Sequence, residues 1–177
     1  MAQCLDSDNN GLIGYLPADL SLLDDLILIS LDNNELRGTV PTEIGKLTNL
    51  SKLFLHANFL SGSLPSELGY LEDLETFDMR ANFLYGTIPE ELYSMLRLES
   101  LALGSNNLSG TLSTSVEQLK ALKDLDLQVN SLYGTIPSEL GELTLLSRLV
   151  LGYNRFTGTI PGELGLLQNL TVLDVSK

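Results

Sequence analysis

The sequence predicts an α/β repeat protein: a curved solenoid with a parallel β-sheet on its concave face and short 3-10 or helical turns on its convex face. Two observations predict this fold class. A unit of 24 residues recurs along the chain without insertion, and apolar residues recur at the same positions of every unit. A coil with such an interior can cover its apolar sides only by packing against the coils before and after it, so the coils must stack.

Asparagine and glycine mark the repeat. A short amide side chain just after each strand can satisfy backbone groups that burial strips of water, so we expect a structural ladder of inward-pointing asparagines. Glycine follows four residues after each of them, from Gly14 to Gly158, and suits a positive φ or close approach of a neighbouring coil. The ladder consists of Asn10, Asn34, Asn58, Asn82, Asn106, Asn130 and Asn154.

Leucine and proline define the rest of the unit, which reads LxxLxLxxNxLxGxIPxxLGxLxx. Its xLxL stretch alternates as a short strand does, and the strands of successive units are expected to pair in parallel. All six prolines share one repeat position, where they hold an extended segment before a short helical turn. The fifth unit has Ser113 at that position, and its Thr114 and Glu117 are expected to form a capping box instead.

The whole chain, residues 1–177, is predicted to be a single array. It contains six complete units over 26–169, flanked by partial units over 1–25 and 170–177, with no capping domains. Because solenoids need polar end units for solubility, we expect further repeats or a capping chain at the ends.

Charge and hydropathy exclude several partners. Ten Lys and Arg residues against 23 Asp and Glu residues give a net charge of -13, which disfavours nucleic acid and anionic lipid surfaces. No apolar run approaches the roughly 18 residues that a membrane helix needs, and no signal peptide is visible. We therefore expect no nucleic-acid partner and no direct membrane contact by this segment.

The segments NNELRGTVPTEIGKLTNLSKL and NSLYGTIPSELGELTLLSRL resemble the plant-type leucine-rich repeat, whose signature is LxGxIP within a 24-residue unit. The resemblance covers the chain from about Leu5 to Val175. It implies a right-handed leucine-rich-repeat solenoid, as in the ectodomains of receptor-like kinases and receptor-like proteins and in polygalacturonase-inhibiting proteins.

The function that this resemblance implies is non-enzymatic binding of a protein or peptide ligand, with a glycan as the alternative ligand. The implied setting is part of a cell-surface receptor-like protein or kinase ectodomain, which would be extracellular. An intracellular interaction scaffold and a secreted inhibitor of a wall-degrading hydrolase remain as alternatives, because fold alone does not fix function.

The candidate binding residues lie on the concave face, at strand positions that alternate with the core leucines. These positions vary from unit to unit and mix aromatic, acidic and basic side chains, as a specific binding surface requires. The alternative is that the variation only reflects freedom from packing. The binding candidates are Phe54, His56, Asp78, Arg80, Asp126, Gln128, Arg148 and Tyr153.

Catalytic and metal sites are not expected. Asp78, Asp126 and Asp174 occupy one strand position two units apart, which places their carboxylates on the order of 10 Å from one another. That spacing is wide for the carboxylate pair of a retaining glycosidase and lies at the upper edge for an inverting one. His56 is the only histidine, no nucleophile and base converge, and no glycine-rich phosphate loop is present. We therefore expect no enzymatic activity and no cofactor.

A column of acids and a ladder of hydroxyls also follow the repeat. The acids lie at the start of the convex turns, where unpaired backbone N–H groups offset the repulsion between their carboxylates. The alternative is that this column binds a cation. The acids are Asp19, Glu43, Glu67, Glu91, Glu139 and Glu163. The hydroxyls are expected to bond backbone groups in a turn, with ice binding as the alternative. They belong to Tyr15, Thr39, Ser63, Thr87, Thr111, Thr135 and Thr159.

Three Asn-x-Ser/Thr sequons permit N-glycosylation in a secreted protein. They begin at Asn49, Asn107 and Asn169.

Overall fold

The computed structural model describes residues 3–177, which form a solenoid with two parallel sheets. The larger sheet has eight strands that pair in chain order, and register advances by 24 residues per strand, so that Phe54 pairs with Asp78. Its strands are Cys4–Asp6, Leu28–Ser30, Lys52–Phe54, Thr76–Asp78, Ser100–Ala102, Asp124–Asp126, Arg148–Val150 and Val172–Asp174. This sheet is the predicted concave sheet, which confirms the solenoid fold class.

A second parallel sheet of seven strands follows the ladder asparagines; the sequence-based prediction treats this segment only as a turn. We call it the lateral sheet. Its strands are Ile13–Tyr15, Glu35–Gly38, Phe59–Gly62, Phe83–Gly86, Asn107–Thr111, Ser131–Thr135 and Arg155–Thr157.

Short 3-10 helices form the convex side, one per coil. Each is preceded by a residue in extended conformation, which is proline in six coils. In the fifth coil that residue is Ser113, whose Oγ accepts a hydrogen bond from the Ser115 N–H at 3.1 Å. The cap is therefore Ser113, and the capping box predicted to begin at Thr114 is wrong. The helices are Ala18–Leu22, Thr42–Lys46, Ser66–Tyr70, Glu90–Ser94, Thr114–Gln118, Ser138–Glu142 and Gly162–Leu166.

A single apolar core runs through all coils between the two sheets and the helices. The column from Leu26 to Leu146 is fully buried in each successive unit, and Leu170 in the last coil is partly buried. Coil stacking thus buries the leucine columns as the repeat predicts, and this burial is the main favourable contribution to stability.

The ladder asparagines from Asn34 to Asn154 bond neighbouring coils to one another. The amide nitrogen of Asn106 donates to Leu103 O in its own coil at 3.1 Å and to Met79 O in the preceding coil at 3.0 Å. Its oxygen accepts a hydrogen bond from Leu84 N at 3.0 Å. One side chain therefore satisfies buried backbone groups of two coils.

Asn10 departs from this pattern. Its amide nitrogen donates to Asp8 O at 2.8 Å, and the residue is exposed. Its amide nitrogen thus bonds a carbonyl two residues earlier, whereas that of Asn106 bonds a carbonyl of the preceding coil. The backbone N–H of Asn10 instead donates to the Asn34 side chain at 3.2 Å.

The convex side is irregular between the fourth and fifth coils. Tyr93 occupies the position of Gly69 and Gly141, and it is buried. A Cβ added at Gly141 would lie 2.5 Å from the Glu163 carbonyl oxygen of the next coil, so a side chain at this position needs more space. The helices Glu90–Ser94 and Thr114–Gln118 accordingly pack less closely than other neighbouring pairs.

Candidate binding surface on the concave face

The concave face is the outward side of the eight-stranded sheet together with the residues that follow each strand. Asp78 and Arg80 form its central pair. Arg80 donates from Nε to Asp78 Oδ1 at 3.0 Å and from Nη2 to Asp78 Oδ2 at 2.6 Å. The Asp78 side chain is only 7% exposed, and its hydrogen bonds raise the pKa of Arg80 above its ordinary value. A nearly buried carboxylate thus fixes the direction of a half-exposed guanidinium.

Asp126 forms a second centre two coils away. Its carboxylate is 1% exposed and lies 3.5 Å from Arg148 Nη1 and 3.9 Å from Arg80 Nη1. Gln128 donates to it from the backbone N–H at 3.2 Å and from Nε2 at 3.3 Å. Arg148 also donates to Asp124 at 3.2 Å, so two arginines and one glutamine compensate the buried charge of Asp126.

His56 extends the network toward the N-terminal coils. Its Nε2 lies 3.5 Å from Asp32 Oδ2 and its Nδ1 lies 3.4 Å from Asp78 Oδ2. Asp32 also accepts hydrogen bonds from Ser30 Oγ at 2.9 Å and from Asn33 Nδ2 at 2.8 Å. Neither contact of His56 is a hydrogen bond, and its buried Nδ1 has no hydrogen-bond partner within residues 3–177. Polar side chains thus cross the face from Asp32 to Arg148 as one polar network, and its ion pairs and hydrogen bonds link Asp78, Arg80, Asp126, Gln128 and Arg148.

Two small residues make the longest link of this network possible. Ala102 lies in register between Asp78 and Asp126. Gly104 follows in the same coil, and a Cβ added there would lie 2.8 Å from Asp126 Oδ1. Because neither residue has a long side chain, Arg80 reaches across the fifth coil toward Asp126. The expected spacing of about 10 Å between alternate carboxylates is thus bridged by arginine.

The structure joins six of the eight candidate binding residues in one network: His56, Asp78, Arg80, Asp126, Gln128 and Arg148. Phe54 is half-buried beside Asp78 in register. Tyr153 is 59% exposed and lies just after its strand with φ 56°. These two aromatic side chains make no hydrogen bond or ion pair with the network.

Sequence reasoning missed the roles of Asp32 and Asp124. The signal was present in the period, because Asp32 and His56 are 24 residues apart, as are Asp124 and Arg148. Residues at that offset lie side by side in neighbouring coils. Opposite charges at one repeat spacing therefore predict an ion pair across the stack.

The remaining polar candidates lie outside this network. In residues 3–177 no group of three His, Cys, Asp or Glu side chains has an arrangement that could hold a metal ion. Of the sequon asparagines, Asn49 and Asn169 donate to carbonyls of preceding coils, at 2.9 Å and 2.8 Å. Asn107 is exposed on the lateral sheet. No helix in the described part of the chain is long and apolar enough to cross a membrane.

Fold and surface together define a repeat solenoid with an ordered, charged face. The Leucine Rich Repeat family model matches residues 49–71, 121–143 and 145–167. A comparison with curated proteins finds no match. Solved structures show strong similarity over nearly the whole chain.

Three similar structures are plant receptor ectodomains or receptors. The leucine-rich-repeat ectodomain of the receptor kinase GASSHO1/SCHENGEN3 from Arabidopsis thaliana is 36% identical with a TM-score of 0.96, and the match covers 98% of this chain and 21% of that one. The plant peptide hormone receptor RGFR1 is 33% identical with a TM-score of 0.97, covering 98% and 28%. A TDR receptor is 34% identical with a TM-score of 0.96, covering 98% and 30%.

The chain is a leucine-rich-repeat solenoid of the plant type, as its LxGxIP motif predicts. It spans less than a third of the length of each of these three chains.

Proposed function

We propose that this chain is a non-enzymatic recognition module that binds a peptide or protein segment along its concave face. The observation that carries the proposal is the polar network from Asp32 to Arg148, in which buried carboxylates fix arginine and glutamine side chains at the surface. Side chains held in one orientation lose little entropy when a ligand binds, so such a surface is preorganised for recognition.

The dimensions of the face suit an extended peptide. Eight strands about 4.8 Å apart give a row of about 34 Å, which an extended chain of about ten residues spans. Phe54 and Tyr153 add aromatic surface on the same side. Aromatic and arginine side chains contribute most to binding energy at protein interfaces.

Complexes of similar proteins support a peptide ligand. The GASSHO1/SCHENGEN3 ectodomain was crystallised with CASPARIAN STRIP INTEGRITY FACTOR 2, and RGFR1 with RGF2. The ectodomain of the Arabidopsis receptor kinase HAESA, 31% identical with a TM-score of 0.82, was crystallised with an IDA peptide hormone ligand. We propose by this likeness that the chain is part of a cell-surface receptor-like protein or kinase ectodomain, in preference to an intracellular scaffold or a secreted hydrolase inhibitor.

Ice binding is a second candidate, and it concerns another face. A plant ice-binding protein is 26% identical to this chain with a TM-score of 0.74, and the match covers 98% of this chain and 64% of that one. The threonines of the hydroxyl ladder also share one orientation, since Cγ2 of Thr87, Thr111 and Thr135 each points to the glycine of the following coil. Thermal hysteresis that disappears on replacing these threonines with bulky residues would support this candidate.

The concave-face proposal is tested by panning a phage-displayed random peptide library against the immobilised chain. Phe54→Ala and Tyr153→Asn should each weaken the selected peptides by about tenfold or more. Asparagine suits position 153, because Asn33 holds the equivalent position at φ 53°. Tyr70→Ala, which removes an aromatic ring that is 63% exposed on a convex helix, is the matched control and should leave binding unchanged.

Two results would overturn the proposal. One is a panning experiment that enriches no peptide for the wild-type chain. The other is a set of peptides that bind the concave variants as tightly as the wild type and lose affinity for the Tyr70→Ala control.

A further inference from the structure

A groove runs along the solenoid between the lateral sheet and the convex helices, on a different face from the proposed peptide site. Its longer section has a volume of about 860 Å³ and spans the fifth to seventh coils. A second section of about 580 Å³ spans the second to fourth coils. Pro89 lines the second section and the next residue, Glu90, lines the first, and the two sections together follow the hydroxyl ladder from Thr39 to Thr159.

The ladder hydroxyls in this groove are free to bond a ligand. Within residues 3–177 none of them makes a hydrogen bond to the protein, although the sequence predicts that they bond the backbone. The hydroxyls that do so belong to Ser61, Ser109 and Thr157, two residues earlier in the repeat, at 3.5, 3.3 and 3.3 Å from carbonyl oxygens of the preceding coil. Thr111, Thr135 and Thr159 are exposed and line the longer section.

Carboxylates lie on the opposite side of the same groove. Glu139 accepts a hydrogen bond from Ser138 Oγ at 3.2 Å, and Glu90 accepts one from Ser113 Oγ at 3.0 Å. Glu163 lines the groove one coil beyond Glu139. None of the three forms a salt bridge in the described part of the chain. Each is therefore an available acceptor for a neutral donor such as a hydroxyl group.

Apolar surface completes the groove. Pro161 and Ile160 line the longer section, and Pro65, Pro89 and Tyr85 line the other. The Tyr85 side chain is 58% exposed, so its ring is accessible. Aromatic and proline rings beside hydroxyls and carboxylates match the chemistry of a sugar, which presents C–H surface and hydroxyl groups together.

We propose that this groove binds a neutral, linear oligosaccharide. The ladder hydroxyl recurs once per coil, about 4.8 Å apart, which is comparable to the length of one hexose in an extended glycan. The carboxylate recurs at Glu139 and Glu163, whereas the fifth coil has Ser115 at that repeat position. A periodic site of this kind suits a periodic ligand. The carboxylates and the net charge of -13 repel an acidic polysaccharide, so the ligand is uncharged. Ice is periodic too, so thermal hysteresis is measured beside saccharide binding.

The test is titration calorimetry of the whole chain with cellohexaose and laminarihexaose, and with an oligogalacturonate of equal length. We expect at least one neutral hexasaccharide to bind and the oligogalacturonate to bind more weakly. Combined Thr111→Val, Thr135→Val and Thr159→Val substitution removes three hydroxyls at nearly constant volume, and it should weaken binding by about tenfold or more.

A second variant and a control keep the test independent of folding. Glu139→Gln with Glu163→Gln exchanges the carboxylates for amides and should also weaken binding. Thr48→Val with Thr144→Val removes exposed hydroxyls outside the groove and should leave binding unchanged. The circular dichroism melt of each variant reports its folding.

Four results would overturn the proposal. They are no binding of either neutral hexasaccharide, tighter binding of the oligogalacturonate, wild-type affinity in the folded groove variants, and thermal hysteresis of the wild-type chain without saccharide binding. The last result would assign the ladder to ice.

Discussion

Arg80 donates two hydrogen bonds to the carboxylate of Asp78, which precedes it by two residues, at 3.0 Å and 2.6 Å. Asp78 also accepts from the Arg80 backbone N–H at 3.0 Å. Arg80, which is placed to bind a ligand, is thus held by Asp78, which belongs to the sheet. Substitution of either residue therefore affects stability as well as binding. For this reason Phe54 and Tyr153 test ligand binding more cleanly than Arg80 does.

Asp78→Asn should lower the free energy of unfolding by about 1–2 kcal/mol, because it leaves the Arg80 guanidinium without its anion; solvent screening of the half-exposed Arg80 limits the loss. Urea denaturation measures the change. Asp73→Asn breaks an exposed pair with Arg97 at 2.8 Å and should cost under about 0.5 kcal/mol. Equal losses in the two variants would contradict the structural role of Asp78.

Asn106→Ala should destabilise the chain by about 1–3 kcal/mol, because it leaves carbonyls of two coils and the Leu84 N–H unpaired inside the stack. Its neighbour Asn107 is exposed and its side chain makes no hydrogen bond within the described residues, so Asn107→Ala should change stability by less than about 0.5 kcal/mol. Thermal or urea unfolding of the two variants compares them directly. A neutral Asn106→Ala would refute the ladder as a stabilising element.

Gly141→Ala should destabilise the chain by about 1–3 kcal/mol, because the added Cβ would meet the Glu163 carbonyl at 2.5 Å. Gly165 holds the same repeat position one coil later, and a Cβ there meets nothing within 4 Å. Gly165→Ala should therefore be neutral or slightly stabilising in the same urea titration. Equal changes in the free energy of unfolding of the two alanine variants would show that close approach of the coils does not explain the glycine at this position.

Tyr93→Phe should make the chain less sensitive to alkali. Burial raises the pKa of Tyr93 above its ordinary value of about 10. The nearby Ser113 backbone opposes this shift only in part, and the buried hydroxyl has no hydrogen-bond partner in the described part of the chain. The contribution of the neutral Tyr93 hydroxyl to the free energy of unfolding is fully present below the ordinary pKa. It is lost as pH rises toward the raised pKa, because Tyr93 ionises first in the unfolded chain.

The measurement is the free energy of unfolding of both proteins at neutral pH and near pH 11. The wild type should lose more stability than Tyr93→Phe over this interval, since the other tyrosines contribute equally to both. At neutral pH the variant should be more stable by about 1 kcal/mol, because it lacks an unpaired buried hydroxyl. Parallel losses in alkali would mean that Tyr93 ionises as freely as an exposed tyrosine.

The core, the concave strands and the convex turns could be predicted from sequence because each follows from one residue type repeated at one position. Leucine columns define burial, and proline precedes the convex turn in six of the seven coils. The lateral sheet could not be predicted in this way. Its strands, such as Glu35–Gly38 and Phe83–Gly86, contain charged, aromatic and glycine residues, and they form because stacking brings the segments of neighbouring coils together.

The binding surface was predictable as a list of residues but not as a network. Sequence spacing places Asp78 and Asp126 two coils apart, and whether they interact depends on the reach of Arg80 and on the space left by Gly104. The positive φ of Val129 and Tyr153 could likewise not be predicted from residue type, because valine and tyrosine rarely adopt it. Such positions depend on the three-dimensional stack.

The central claim is that the concave face binds an extended peptide. The most direct measurement is amide hydrogen exchange of the wild-type chain with and without a peptide selected by panning. We predict that added protection is concentrated in residues 28–33, 52–57, 76–81, 100–105, 124–129 and 148–153, which contain the polar network, its aromatic neighbours and the coil between Asp78 and Asp126. Protection confined to the convex helices or the lateral sheet would contradict it.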